Sequence, residues 1–282
     1  MGVTYHHGGV MRVLFLLILG CAAGSLSRQA QASDQFPECT DEARHVAEAT
    51  PSVAINDFGQ ANQTIYSLGG YSAVCIGDSV NRYHLEANVA HVRESAGGAN
   101  AALIGVGLQL FPITGANELA IVPLARLGYE DFQSGRQNII FGGGIAFVGR
   151  LTLASRTERI GACEVAIPVR QLLLYGRTDY SDRRSASSNR PTLSQQKSQL
   201  TFAASIGLDQ QVGRSPWRWR AAVSHETIDG GTVNGVTALE LSARPVSRDH
   251  SNYRWNFALR GSLGDHDYRG IAVAITRRFS WK

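Results

Sequence analysis

From about residue 51 to the carboxyl end, bulky apolar residues alternate with small or polar ones, segment after segment. In 217–224, Trp217, Trp219, Ala221 and Val223 share one parity and Arg218, Arg220, Ala222 and Ser224 the other. In 253–262, Tyr253, Trp255, Phe257 and Leu259 oppose Arg254, Asn256, Ala258 and Arg260. In 271–281, Ile271, Val273, Ile275, Phe279 and Trp281 oppose Ala272, Ala274, Thr276, Arg278 and Ser280, with Arg277 breaking the apolar face. Earlier, Ile104, Val106, Leu108 and Leu110 oppose Gly105, Gly107 and Gln109, and Leu200, Phe202, Ala204, Ile206 and Leu208 oppose Thr201, Ala203, Ser205 and Gly207. A period of two predicts strands with two unlike faces. It predicts twelve of them: 51–57, 64–75, 82–94, 101–112, 118–129, 136–156, 163–179, 198–212, 216–227, 235–246, 252–263 and 268–281. A hairpin hidden near Gly149 would change the reading of 136–156, and ten strands is the alternative count.

The two faces decide between a soluble sandwich and a membrane barrel. One is bulky and apolar, the other small or charged, which suits lipid outside and a polar interior. All four tryptophans, Trp217, Trp219, Trp255 and Trp281, fall near strand ends on the apolar face, where interfacial girdles sit. A sandwich would hide them in mid-core. The closing run Arg278-Phe279-Ser280-Trp281-Lys282 resembles the terminal strand of the bacterial outer-membrane β-barrel class, with Lys282 following the usual last aromatic. The resemblance covers roughly residues 50–282 and is to an architecture, not one family. It implies an all-β, antiparallel transmembrane barrel in the cell outer membrane, with outer-membrane lipid and the barrel-assembly machinery as partners. The even strand count agrees. With the carboxyl end in the periplasm, the long polar link 180–197 falls outside, and 213–215 and 247–251 fall in the periplasm. A soluble periplasmic or secreted β protein is the alternative.

The amino terminus reads as an export signal over 1–32. Met11-Arg12 precedes the apolar run Val13–Gly24, too short to span a bilayer, and Ala30-Gln31-Ala32 is an A-x-A cleavage site. The alternative uses Ile18-Leu19-Gly20-Cys21 as a lipoprotein box. No later stretch approaches the length of a transmembrane helix. Residues 33–50 then form a periplasmic segment before the barrel at 51–282. Within it Thr40-Asp41-Glu42-Ala43-Arg44 reads as a capped helix start, running to about Ala49. After cleavage three cysteines remain, Cys39, Cys75 and Cys163. Export permits disulfides, and the topology places all three at the periplasmic rim. The expected bond is Cys39–Cys75, tethering the helix at the barrel mouth; the alternative is three small buried residues without a bond.

Of 282 residues, 44% are hydrophobic and 18% charged, against about 25% charged in ordinary soluble domains. Formal charge is +4, but Arg12 and Arg28 lie in the leader, leaving 25 basic against 23 acidic residues, or +2. That balance offers nucleic acid no footprint. Lys197 and Lys282 are the only lysines, so arginine carries the positive charge. No Gly-Lys of a Walker loop, no G-x-G-x-x-G and no G-x-S-x-G elbow is present, and neither the cysteine spacing nor His225-Glu226 makes a zinc motif. No cofactor or metal is implied. A lipid hydrolase built on a barrel needs a histidine to activate a hydroxyl on one strand face. His250 and Ser251 are adjacent and point to opposite faces, while His225-x-Thr227 has the spacing with a weaker nucleophile.

The alternation sends Arg218, Arg220, Arg244, Arg254, Arg260 and Arg278 into the lumen, with Glu86 and Glu240 the clearest inward acids. A guanidinium-lined, water-filled space favours anions. Such a lumen resembles, in its chemistry alone, small twelve-stranded porins for acidic oligosaccharides. The alternative is that these arginines pair with Asp and Glu and fill a narrow barrel. Three functions follow: a narrow channel for small, anionic solutes; a non-conducting structural or surface barrel; and a lipid-modifying enzyme.

Overall fold

The computed structural model describes residues 45–281 apart from 60–61, 77–80, 95–96, 114–116, 161–162, 188–189, 214, 230–233, 247–254 and 266, and gives the backbone alone along 187–197 and at a few strand ends. Twelve strands follow one another: β1 (His45–Asp57), β2 (Asn62–Cys75), β3 (Arg82–Glu94), β4 (Gly97–Ile113), β5 (Asn117–Phe132), β6 (Arg136–Ile160), β7 (Cys163–Ser187), β8 (Arg190–Gln211), β9 (Trp217–Ile228), β10 (Gly235–Pro245), β11 (Trp255–Gly264) and β12 (Arg269–Trp281). Each pairs antiparallel with its sequence neighbours, and β12 closes on β1. The sheet is therefore an edgeless barrel. Carrying the register from strand to strand round it returns to β1 displaced by about fourteen residues, which with twelve strands tilts them by about 40°. His45 lies opposite Trp281, so first and last strands start and finish at one end, termed here the terminal end.

The burial pattern is that of a soluble protein turned inside out. Gln109, Asn138 and Thr50 are fully buried inside the barrel, whereas Ile104, Val106 and Leu127 are each more than half exposed on its outer wall. No apolar core could be built by hiding that wall, so its solvent must be hydrocarbon. Trp217, Trp219 and Trp255 all face outward near the terminal end, where the backbone of Trp281 also lies; the Trp281 side chain is outside the described residues. Tyr66, Tyr129 and Tyr180 face outward toward the far end. Inside, Phe58, Ile65, Val92, Phe132 and Tyr268 form an apolar cluster near the far end, and Val122, Leu124 and Val148 line the β5–β6 wall.

Two expectations change, and one alternative falls. Residues 45–49 belong to β1 and not to a helix, since Val46–Ala49 pair with Arg277–Ser280 on one side and Gly70–Ala73 on the other. Local helix propensity yields there to two ladders of backbone hydrogen bonds; the expected helix start at 40–44 lies outside the described residues. The link 180–197 is not a loop: β7 and β8 run on and pair beyond the apolar band, as Asp182 with Ser198 and Ser187 with Arg190. Above the lipid the strands need no apolar face, so the alternation that marks them fades while the pairing persists. Finally, β6 continues past Gly149, which pairs with Leu119 and Leu174, and no hairpin interrupts it; twelve strands stand. Beyond Thr152 the β6–β7 ribbon bends at bulges around Ala154, and Arg156 donates to the carbonyl of Gly213 at 3.2 Å.

Candidate functional site

The lumen is built by strand parity, and every expected arginine that the structure describes points into it. Arg218 and Arg220 on β9 and Arg244 on β10 converge on Asp209 of β8. Arg220 lies directly across from Asp209, and Arg244 across from Arg218. Asp209 Oδ2 accepts from Arg220 Nη2 at 3.3 Å and from Arg244 Nη2 at 3.1 Å, while Oδ1 accepts from Arg218 Nε. Arg218 also donates to the carbonyl of Pro168 and to Gln171 Oε1, both at 2.8 Å, tying the β6–β7 ribbon to the cluster. Arg278 donates to Glu48 at 2.6 Å across the closing β12–β1 seam. Arg260 is buried opposite Glu240. Arg254 lies in 247–254, outside the described residues.

A second network, missed from sequence apart from Glu86, crosses the lumen at mid-height. Arg126 of β5 donates from Nε to Glu86 of β3 at 2.7 Å and reaches Asp179 of β7 with Nη1 at 2.8 Å. Arg177 reaches the other Asp179 oxygen at 2.5 Å and stands 3.6 Å from Glu86. The intervening strands make room for it with glycine. A Cβ on Gly105 would lie 2.6 Å from Glu86 Cγ, and one on Gly144 2.3 Å from Asp179 Oδ1. Nearer the far end, Glu130 accepts from Arg183 at 3.2 Å and from Asn138 at 2.7 Å. The signal for these residues was the same parity: Asp209 lies in register with Thr201, Ala203, Ser205 and Gly207, already read as the inner face. Alternation says which way a side chain points but not which acid on a distant strand it meets.

Charge is unevenly divided along the axis. Among the described residues, the terminal half of the lumen carries Arg82, Arg150, Arg218, Arg220, Arg244 and Arg278 against Glu48, Glu118 and Asp209. Mid-height and beyond, Arg126, Arg136, Arg177, Arg183 and Arg260 stand against Glu86, Glu94, Glu130, Asp179, Glu226 and Glu240. Among the described residues, one end of the lumen is thus cationic, and the other close to neutral. A cavity of about 90 Å³ lies above the mid-height network, lined among others by Asn88, Arg126, Arg177 and Asp179. Another of about 20 Å³ sits beside Arg220 and Glu240.

The remaining candidates are dispersed. His225 faces outward, exposed, with Nδ1 at 2.9 Å from Oγ1 of Thr237 across the β9–β10 pair; its hydroxyl partner is thus Thr237 and not Thr227. His250 and Ser251 lie outside the described residues, as do Cys39 and the Cys163 side chain. Among the described residues no group of three His, Cys, Asp or Glu side chains is placed to hold a metal ion.

The fold is that of outer-membrane β-barrels. The translocator domain of the autotransporter NalP from Neisseria meningitidis superposes with a TM-score of 0.53 at 14% identity, over 93% of this chain and 97% of that one. The transport unit of the autotransporter AIDA-I from Escherichia coli gives 0.51 at 10% identity, over 92% and 98%. At such identities the likeness is one of fold alone. No protein-family model and no curated protein sequence matches the chain.

Proposed function

We propose that the protein is a narrow outer-membrane channel for small anionic solutes, with its terminal end toward the periplasm. The observation that carries this reading is the sharing of Asp209 by Arg218, Arg220 and Arg244. Among the described residues the half of the lumen around this cluster holds six arginines, Arg82, Arg150, Arg218, Arg220, Arg244 and Arg278, against Glu48, Glu118 and Asp209, and low-dielectric walls focus that positive potential on passing ions. In planar bilayers under a salt gradient, the reversal potential should indicate anion preference. Arg218→Ser with Arg244→Ser should reduce that preference, and Asp209→Asn should raise it. Cation selectivity in the unaltered barrel would refute the reading.

A second reading, a non-conducting structural barrel, draws support from the small interior cavities and from how completely the lumenal arginines are engaged by acids. Silent bilayers at any voltage would favour it. The same reading of the chain includes export by a leader ending at Ala32 and a bond from Cys75 to Cys39. Cys75, at the terminal end of β2, is disulfide-bonded. Cys163 opens β7 at the tip of the ribbon, five strands away, which favours Cys39 as the partner. Peptide mapping without reduction should recover a Cys39–Cys75 cross-linked pair; recovery of Cys75 joined to Cys163 would overturn the assignment.

A further inference from the structure

The mid-height cavity has a chemistry different from the cationic mouth. Its lining includes three guanidinium groups, Arg126, Arg177 and Arg183, and three carboxylates, Glu130, Asp179 and Glu226. Among the described residues, buried Arg126 Nη2, Arg177 Nη2 and Asn88 Oδ1 have no hydrogen-bond partner, Arg177 Nη2 standing 3.6 Å from Glu86 Oε1. Donors and an acceptor are therefore left over together, in a place where such atoms are costly to leave unmatched. The glycine notches at Gly105 and Gly144 hold the two arginines in place through Glu86 and Asp179, so the site is built into the wall and not improvised by flexible side chains. At about 90 Å³, the space suits several waters or one solute of about six non-hydrogen atoms.

We propose that this cavity binds a small zwitterion of α-amino-acid size, its carboxylate on the Arg126–Arg177 pair and its ammonium toward the carboxylates and Asn88. The proposal deepens the channel reading and rests on it for the ligand's route of entry. A net-neutral lining gives a simple anion little advantage, because every attraction to a guanidinium is offset by a neighbouring carboxylate. A ligand carrying both charges engages both sets at once. The cationic mouth and the neutral middle thus act in series, the first collecting carboxylates and the second retaining those that also carry an ammonium group.

The test is calorimetric titration of the detergent-solubilised barrel with alanine, acetate and methylammonium. Alanine should bind saturably, and each singly charged analogue at least about tenfold more weakly. Ala203, inward between Arg177 and Glu226, should block the cavity as Ala203→Leu and abolish binding. Asn88→Ala enlarges the space instead and should weaken alanine about fivefold; it decides alone if the filled variant does not fold. No saturable binding of alanine, acetate binding as well as alanine, or unchanged affinity in the variants would overturn the proposal. Cation-selective current together with saturable alanine binding would overturn the channel reading alone, and anion-selective current without alanine binding would overturn the site alone; a barrel that neither conducts nor binds alanine overturns both.

Discussion

Glycine and aspartate do the least replaceable work inside this barrel. Gly144 faces inward where a Cβ would meet the Thr178 carbonyl oxygen at 2.2 Å and Asp179 Oδ1 at 2.3 Å, whereas Gly261 faces outward with nothing near. Gly144→Ala should lower unfolding free energy by about 1–3 kcal/mol, as overpacking does, and Gly261→Ala should leave it within about 0.5 kcal/mol. Urea titrations of the barrel in micelles would compare the two, and equal effects would contradict the notch. Asp209 is 2% exposed and anchors three arginines. Asp209→Asn removes the carboxylate that these three guanidinium groups share, a loss of about 3–5 kcal/mol in the same titration. A smaller change than 1 kcal/mol would mean that water already reaches the cluster.

An element in this sheet is defined by having two solvents. On β12, Val273 is 53% exposed on the outer wall, while its neighbour Ala274 faces the lumen. Val273→Arg should destabilise insertion by about 2–4 kcal/mol, because the side chain lies near the middle of the apolar band. Ala274→Ser should be nearly neutral. Equilibrium folding into lipid vesicles distinguishes the pair, and tolerance of arginine at 273 would place that face in water. The β7–β8 extension shows the converse. Once the strands leave the lipid, backbone pairing alone carries the element, and the polar run through Arg183, Arg184 and Ser185 remains strand without an apolar side.

At the scale of the molecule, closure replaces a hydrophobic core. The β1–β12 seam satisfies the backbone of both terminal strands, and Glu48–Arg278 adds a buried pair across it. A barrel closed in this way should resist dodecyl sulfate until boiled. Unheated samples should therefore migrate differently from heated ones and fractionate with the outer membrane. Identical migration, or recovery as a dispersed species without detergent, would remove the membrane assignment and the channel with it. The order of the strands follows from the chain, since each connects to its neighbour by a short link and closure is the only further step.

Period-two alternation was enough to determine strand number and the face of the residues in the segments where it is clear, and hence the inward aim of Arg218, Arg220, Arg244, Arg260 and Arg278. Those properties are local, fixed by the pleat of each strand. What the tertiary structure alone decided is which residues meet. Asp209 joins three arginines, Arg126 bridges Glu86 and Asp179 from three different strands, and residues 45–49 give up helical propensity for a seam with the far end of the chain. These depend on the stagger accumulated round a closed sheet, a sum over all twelve pairings that no single segment encodes.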